Sequence, residues 1–267
     1  MSESISRGVK LHHPTKANSV VTDQTGTITG VKILSFNAEE ETVLPCTNLV
    51  ISAGPWTPQV FEKLFPSSQK SVPIAPLAGY SLVVRSPRYA TNSERSHAIF
   101  TTHPESCGFC PEIFSRHGGE IYIAGLNSMD IPFPDQAEET RKLMDQDEMN
   151  KLKAVTVRLM GKPAGGLADS TDDVPNIDDL ETVREGLCFR PVTNRGTPFI
   201  SRLKDKSLGD GIKTGFGDGA QGRVRGGVFV AAGHGPWGIS LSLGTGKVVA
   251  EMVEGVPTSA NVSRLAI

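Results

Sequence analysis

The chain has 267 residues, room for one large domain or two small ones, and its 38% hydrophobic and 21% charged residues can build a buried core. A formal net charge of -2 offers no electrostatic case for nucleic acid or an anionic membrane as partner, and no apolar run approaches the roughly 20 residues of a membrane helix. The opening "MSESISRGVKLHHPTK" lacks the apolar segment of a secretory signal, and four irregularly placed cysteines (Cys46, Cys107, Cys110, Cys188) make no disulfide scaffold, so the expected setting is reducing and cytoplasmic.

The first third reads as a β-meander. "SVVTDQTGTITGVKILSF" holds two β-rich runs around a turn at Asp23–Gly26. "NLVISAG" follows, with consecutive Leu49, Val50 and Ile51 predicting a strand buried on both faces. A short helix is expected next, with Thr57 as N-cap and Pro58 at its first position. "GYSLVVR" and "HAIF" are strand candidates, and "PEIFSRHGGEIYIAG" predicts a hairpin turning at Gly118-Gly119. Residues 136 to 160 predict a helix with an Asp135/Glu138 capping box and a face of Leu152, Val155 and Leu159. Residues 161–179 read as an acid-rich loop, "VREGLCFRP" and "PFISRL" as strands, and 209–227 as a Gly-rich excursion. No internal repeat is apparent by inspection.

The C-terminal "GVFVAAGHGPWGISLSLGTGKVVAEMVEG" is a strand, a Gly-x-Gly-x-x-Gly (Gly233, Gly235, Gly238) and a helix of about residues 238–254 stopped by Gly255. A complete dinucleotide unit needs about 30 residues or more, including a second parallel strand ending in an acid. Only "VPTSANVSRLAI" remains, which is turn-like and short. A P-loop fails too: Leu241 stands where its first glycine belongs and Val248 where Ser or Thr belongs. The local physics survives, because a glycine-lined helix start lets a ligand approach backbone N–H groups carrying about half a positive charge. Ser242, Gly246 and Ala250 add a small-residue face suited to close packing. The segment therefore reads as one half of a ligand site.

That segment resembles the flavin-contacting C-terminus of the D-amino-acid oxidase, glycine oxidase and sarcosine oxidase superfamily of FAD-dependent oxidoreductases. "NLVISAGPWTPQV" is similar to the family's V-x-x-A-G-x-W element, and "GLCFRPVTNRGTPFI" to its G-x-R-P-x-T strand. "CPEIFSRHGGEIYIAGLN" is like the substrate-domain hairpin of its fungal branch. The resemblance implies a mixed α+β fold: an incomplete FAD-binding, Rossmann-like layer (1–73 and 223–267) and a β-rich substrate-binding layer (74–222). It implies FAD as cofactor and a small amine or amino acid as substrate, oxidised by hydride transfer to flavin. The family's N-terminal Gly-x-Gly-x-x-Gly is not found here, so the chain reads as a C-terminal part, with its activity belonging to the parent architecture. A catalytically inert remnant or binding module that keeps the fold is the alternative reading.

The resemblance places Ala53 and Gly54 near the adenosine or pyrophosphate, and Gly233, Gly235, Trp237, Gly238 and Ile239 at the isoalloxazine. Arg190 would hold the substrate carboxylate through its planar fork; the rival is an ion pair with Glu181 or Glu185. Arg195 is a second candidate for that role. His234 would touch the flavin or cap the turn. Cys188 occupies a position like that of covalent flavin attachment in sarcosine-oxidase relatives, although the following Arg-Pro fits the non-covalent branch. His103, Cys107, Cys110 and His117 supply zinc-type ligands within fifteen residues. A buried reduced pair is the plainer reading, and no metal is expected.

Overall fold

The computed structural model describes residues 2–89, 95–102, 108–164, 176–215 and 226–267. In chain order its elements are α1 (Ser2–Ser6), β1 (Thr15–Thr22), β2 (Ile28–Ser35), β3 (Thr42–Pro45), β4 (Asn48–Ile51), α2 (Thr57–Leu64) and β5 (Ala75–Arg85). Then come β6 (Ala98–Phe100), β7 (Glu112–Ser115), β8 (Glu120–Ala124), β9 (Asn127–Ser128) and α3 (Gln146–Met160). The chain closes with β10 (Glu181–Val192), β11 (Phe199–Arg202), β12 (Gly227–Ala232) and α4 (Gly238–Glu254). These are the mixed α and β elements that the sequence patterns anticipate. By contacts they form two compact units, Met1–Ala75 with Pro191–Ile267, and Pro76–Arg190.

In the first unit, β1, β2 and β3 form an antiparallel meander. Its first turn is tied by Asp23, whose Oδ1 accepts from the backbone N–H of Thr25 at 2.8 Å and of Thr27 at 3.0 Å. Hydrogen bonds from the Thr25 side chain and then the Thr27 and Thr25 backbones hold the Asp23 carboxyl below its ordinary range. Gly26 has φ +84°, and a Cβ there would lie 1.9 Å from the carbonyl oxygen of Gly211. Gly26→Ala is therefore expected to destabilise the chain by about 2 kcal/mol or more, combining left-handed strain with a backbone clash. Thermal or urea melts of the variant check it.

A second sheet of the same unit has the order β11-β12-β4, with β12 antiparallel to β11 and parallel to β4. Sheet faces alternate residue by residue. Val228, Val230 and Ala232 of β12 join Ile51, Phe61, Leu64 and Phe65 in one core, the α2 side. Ala231 and Ile200 turn to the other face and meet Val248 and Val249 of α4. Successive helices thus cover opposite faces of neighbouring parallel strands. The expectation that β4 is buried on both faces is corrected: Ile51 is 3% exposed but Val50 39%. Among the described residues β4 is an edge strand, and α4 lies over β11 and β12.

In the second unit the sheet order is β10-β5-β8-β7-β6, with β9 also pairing β5. Tyr80, Leu82 and Val84 of β5, Ile121 and Ile123 of β8, and Leu187 and Phe189 of β10 pack with Met149 and Leu152 of α3. Burying each such side chain contributes about 1.5–3 kcal/mol. The β7–β8 hairpin turns at Gly118-Gly119, φ +88° and +79°, as the sequence indicates. The helix forecast for 136–160 is shortened. Residues Ala137–Leu143 form a 3-10 stretch, Met144 is extended, and α3 begins at Gln146. The cap is Asp145, not Asp135, accepting from the N–H groups of Asp147 at 2.8 Å and Glu148 at 3.3 Å. Asp145 wins because its own N–H donates to Tyr80 Oη at 3.1 Å, which fixes the helix start against the core. Asp145→Ala should cost about 1 kcal/mol, readable in the same melts.

Candidate functional site

The first candidate site lies at the carboxyl ends of β4 and β12. Adjacent parallel strands whose following helices go to opposite faces open a crevice there, the usual ligand position in an open α/β sheet. Each strand ends in the same tripeptide, Gly54-Pro55-Trp56 and Gly235-Pro236-Trp237, folded as a 3-10 turn running straight into α2 or α4. The two glycines share a conformation, φ +56° and +57°. This short repeat is already present in the sequence.

The two turns differ in what surrounds them. At the first, Pro55 is buried and the Thr57 N–H donates to the Gly54 carbonyl. That bond makes Trp56, not Thr57, the residue before the helix, and leaves Pro58 in second place. Thr57 Oγ1 is buried without a hydrogen-bond partner among the described residues, so the expected Thr57 cap is corrected. At the second turn Trp237 is 60% exposed and Ile239 93%. Among the described residues no side chain caps that turn or α4, so the donor capacity of the first helical N–H groups points out of the helix end.

The three glycines separate by cause. Gly233 has φ +88°, and a Cβ would meet Thr193 Cγ2 at 2.7 Å, a structural demand. Gly238 has an ordinary helical φ of -54°, and a Cβ there would meet only the Cβ of His234, at 3.9 Å. Neither its backbone nor its packing requires glycine. Gly54 likewise has open space around its Cβ position, and Gly235 only Val192 Cγ1 at 3.9 Å. Ala53 precedes the first turn at φ -83°, ψ 22°. Bare backbone and an uncapped helix end suit the flat ring of a flavin, an electron acceptor that takes on negative charge when reduced, so the residues present fit one side of FAD.

His234 neither caps the helix nor stands free. Its Nε2 lies 3.0 Å from Thr245 Oγ1, joining the turn to α4 two turns on. Burial pushes its imidazole below the ordinary value, so the folded chain favours the neutral ring. The unfolded chain then binds more protons as pH falls through about 6.5, and stability present above that pH is lost through the lower folded value. Melts at pH 7.5 and pH 5.5 should show a larger acid loss in the parent chain than in His234→Gln.

The second candidate site is the face of the second unit's sheet opposite α3. Cys188 and Arg190 of β10 alternate with the buried Leu187 and Phe189, which puts them on this open face. Arg190 crosses Gly79 of β5: a Cβ at 79 would lie 2.3 Å from Nη1. Nη1 donates to Asn127 Oδ1 at 2.5 Å. The rival ion pairs are not made, because Glu181 pairs with Arg85 at 3.1 Å and Glu185 with Lys153 at 2.5 Å. Among the described residues no carboxylate partners Arg190.

Arg195 is spoken for. It donates to the carbonyls of Ala266 at 2.9 Å and Pro198 at 2.7 Å and stacks 3.9 Å over the Phe199 ring, a structural role that displaces it as a substrate candidate. Cys188 is exposed, with Sγ 3.8 Å from the Gly79 carbonyl oxygen. Of the possible zinc ligands, His103 and Cys107 lie outside the described residues, and Cys110 is exposed rather than buried. Among the described residues no group of three or more His, Cys, Asp or Glu side chains could hold a metal. Nor, among them, is any helix long and apolar enough to cross a membrane.

Residues 1–252 match the DAO family of FAD dependent oxidoreductases. The chain belongs to that family. It is 27% identical over 226 residues to C1F5.03c of Schizosaccharomyces pombe, described as an oxidoreductase, covering 83% of this chain and 46% of that one. Among solved structures, glycine oxidase from Geobacillus kaustophilus superposes with a TM-score of 0.63 at 20% identity, over 98% of this chain and 54% of that one. Iminodiacetate oxidase from Chelativorans sp. BNC1 does so with 0.62 at 15%, over 98% and 55%. These likenesses establish the shared fold, and the chain spans about half the length of the relatives it matches.

Proposed function

We propose that this chain carries the isoalloxazine-facing side of the cofactor site and the carboxylate anchor of an FAD-dependent amine or amino-acid oxidoreductase. In this reading the first compact unit serves the cofactor and the second the substrate. The observation that carries it is Gly238: a glycine with no structural need, at the uncapped tip of a helix, beside a second tip of the same sequence. Gly235, Trp237, Gly238 and Ile239 would lie against the flavin ring, Ala53 and Gly54 nearer the nucleotide tail. When bound, the flavin supplies the two-electron acceptor. The N–H groups of Gly235, Gly238 and Ile239 favour negative charge at the ring by position alone, an effect worth a few kcal/mol in preorganised sites, while Pro236 has no N–H and that of Trp237 is donated to the His234 carbonyl. Gly233 shapes the turn, and His234 holds it to α4 through Thr245. Arg190 binds and orients a substrate carboxylate.

The cofactor layer is completed, in this proposal, by a strand, glycine turn and helix of the kind the family carries at its N-terminus. The face of α4 opposite Val248 supports this. Ile239, Leu243, Gly246 and Ala250 recur at spacings of four, three and four; Leu243 is 89% exposed, and a Cβ at Gly246 would meet nothing within 4 Å. A helix apolar on both faces belongs between two layers. The small-residue face expected to pack closely is bare among the described residues, and the edge of β4 beside it is open to another parallel strand.

The test joins this chain to the part of the S. pombe relative that it does not match and compares it with the chain alone. Retained yellow flavin absorbance in the joined protein supports the proposal. A joined, folded protein that stays colourless with excess FAD supports the inert-remnant reading instead.

A further inference from the structure

We infer that Asn127 is a positioning residue for the carboxylate anchor: it orients Arg190 with a neutral acceptor and so leaves the guanidinium charge for an anionic ligand. The inference rests on the proposed role of Arg190. Asn127 comes from β9, where it stands opposite Gly79 of β5 in the ladder. Its amide has a fixed orientation, since Nδ2 donates to the Gly125 carbonyl at 3.1 Å and Oδ1 is thereby turned to Arg190. One guanidinium nitrogen is held at 2.5 Å, over a residue that has no side chain to push it away. A carboxylate at position 127 would reach the same nitrogen equally well. It would also cancel the charge, as Glu120 and Glu181 do for Arg85 on the same sheet. The contrast between these two arginines is what separates an anchor from a surface ion pair. Specificity for an anion over a neutral amine then follows from the identity of residue 127.

The test titrates benzoate into the full chain labelled at arginine, following guanidinium NMR signals, with melting temperature as the folding control. Arg190→Leu identifies the Arg190 signal. The expected result is a loss of benzoate binding of tenfold or more in Asn127→Asp at unchanged melting temperature, and a smaller loss in Asn127→Ala. If Arg190→Leu abolishes binding while Asn127→Asp binds like the parent, or more tightly than Asn127→Ala, the role of Asn127 is overturned and that of Arg190 stands. If the parent does not bind benzoate, or Arg190→Leu binds it equally, the anchor reading fails and the inference with it.

Discussion

Gly238→Leu is expected to leave the chain folded while weakening FAD binding about a hundredfold in the joined protein, about 2.7 kcal/mol. The position is the first residue of α4, with φ -54° and open space beyond its Cβ, so the protein itself accommodates a side chain. Leucine is also the better helix former, by up to about 1 kcal/mol. If glycine served only the local fold, substitution would lower the melting temperature and spare any ligand. If it serves the ligand, the isobutyl group fills the space the ring needs and the melting temperature holds or rises. Flavin titration beside thermal melts separates the two. Gly233→Ala is the control with the reverse pattern, because its φ of +88° and the Thr193 contact make it structural.

Arg190→Leu should raise the KM for an amino-acid substrate about a hundredfold in the FAD-loaded joined protein, with kcat changed far less. In the proposed role the guanidinium would bind ground state and transition state alike through the carboxylate, so its loss would remove uniform binding. Arg190→Lys should recover only part, since an ammonium cannot make the two parallel bonds. The fold should tolerate both changes: Arg190 has no carboxylate partner among the described residues, and Asn127 is exposed and can be solvated. A fall in kcat alone would place Arg190 elsewhere in the reaction.

Much of this architecture is legible in the residues. The meander, the β7–β8 hairpin and α4, closed by Gly255 at φ +67°, follow from alternation, turn chemistry and a C-terminal glycine, all of which act locally. What is not legible depends on tertiary partners. Asp135 and Asp145 are both plausible caps by spacing, and only the bond to Tyr80 Oη, sixty-five residues away, selects Asp145. Thr57 has a capping side chain, yet the Gly54 carbonyl already takes its N–H. Val50 reads as core, but its face of β4 carries no layer among the described residues. At the sites, Arg190 and Arg195 look alike in sequence; one stacks on Phe199 and binds carbonyls, and the other crosses a glycine toward Asn127. Asn127 itself carries no signal before the fold sets β9 beside β5. The repeated Gly-Pro-Trp is the exception, a cue present in the sequence from the start.

All of this turns on the ring of FAD resting against the open end of the last long helix. Backbone amide shifts measured on FAD addition to the joined protein, with only this chain isotopically labelled, address that contact directly. The largest changes should fall at residues 235 and 237–241, with a second set at 53–54, and the hairpin at 116–119 should stay silent. Bound flavin that leaves residues 235–241 unmoved would contradict the account.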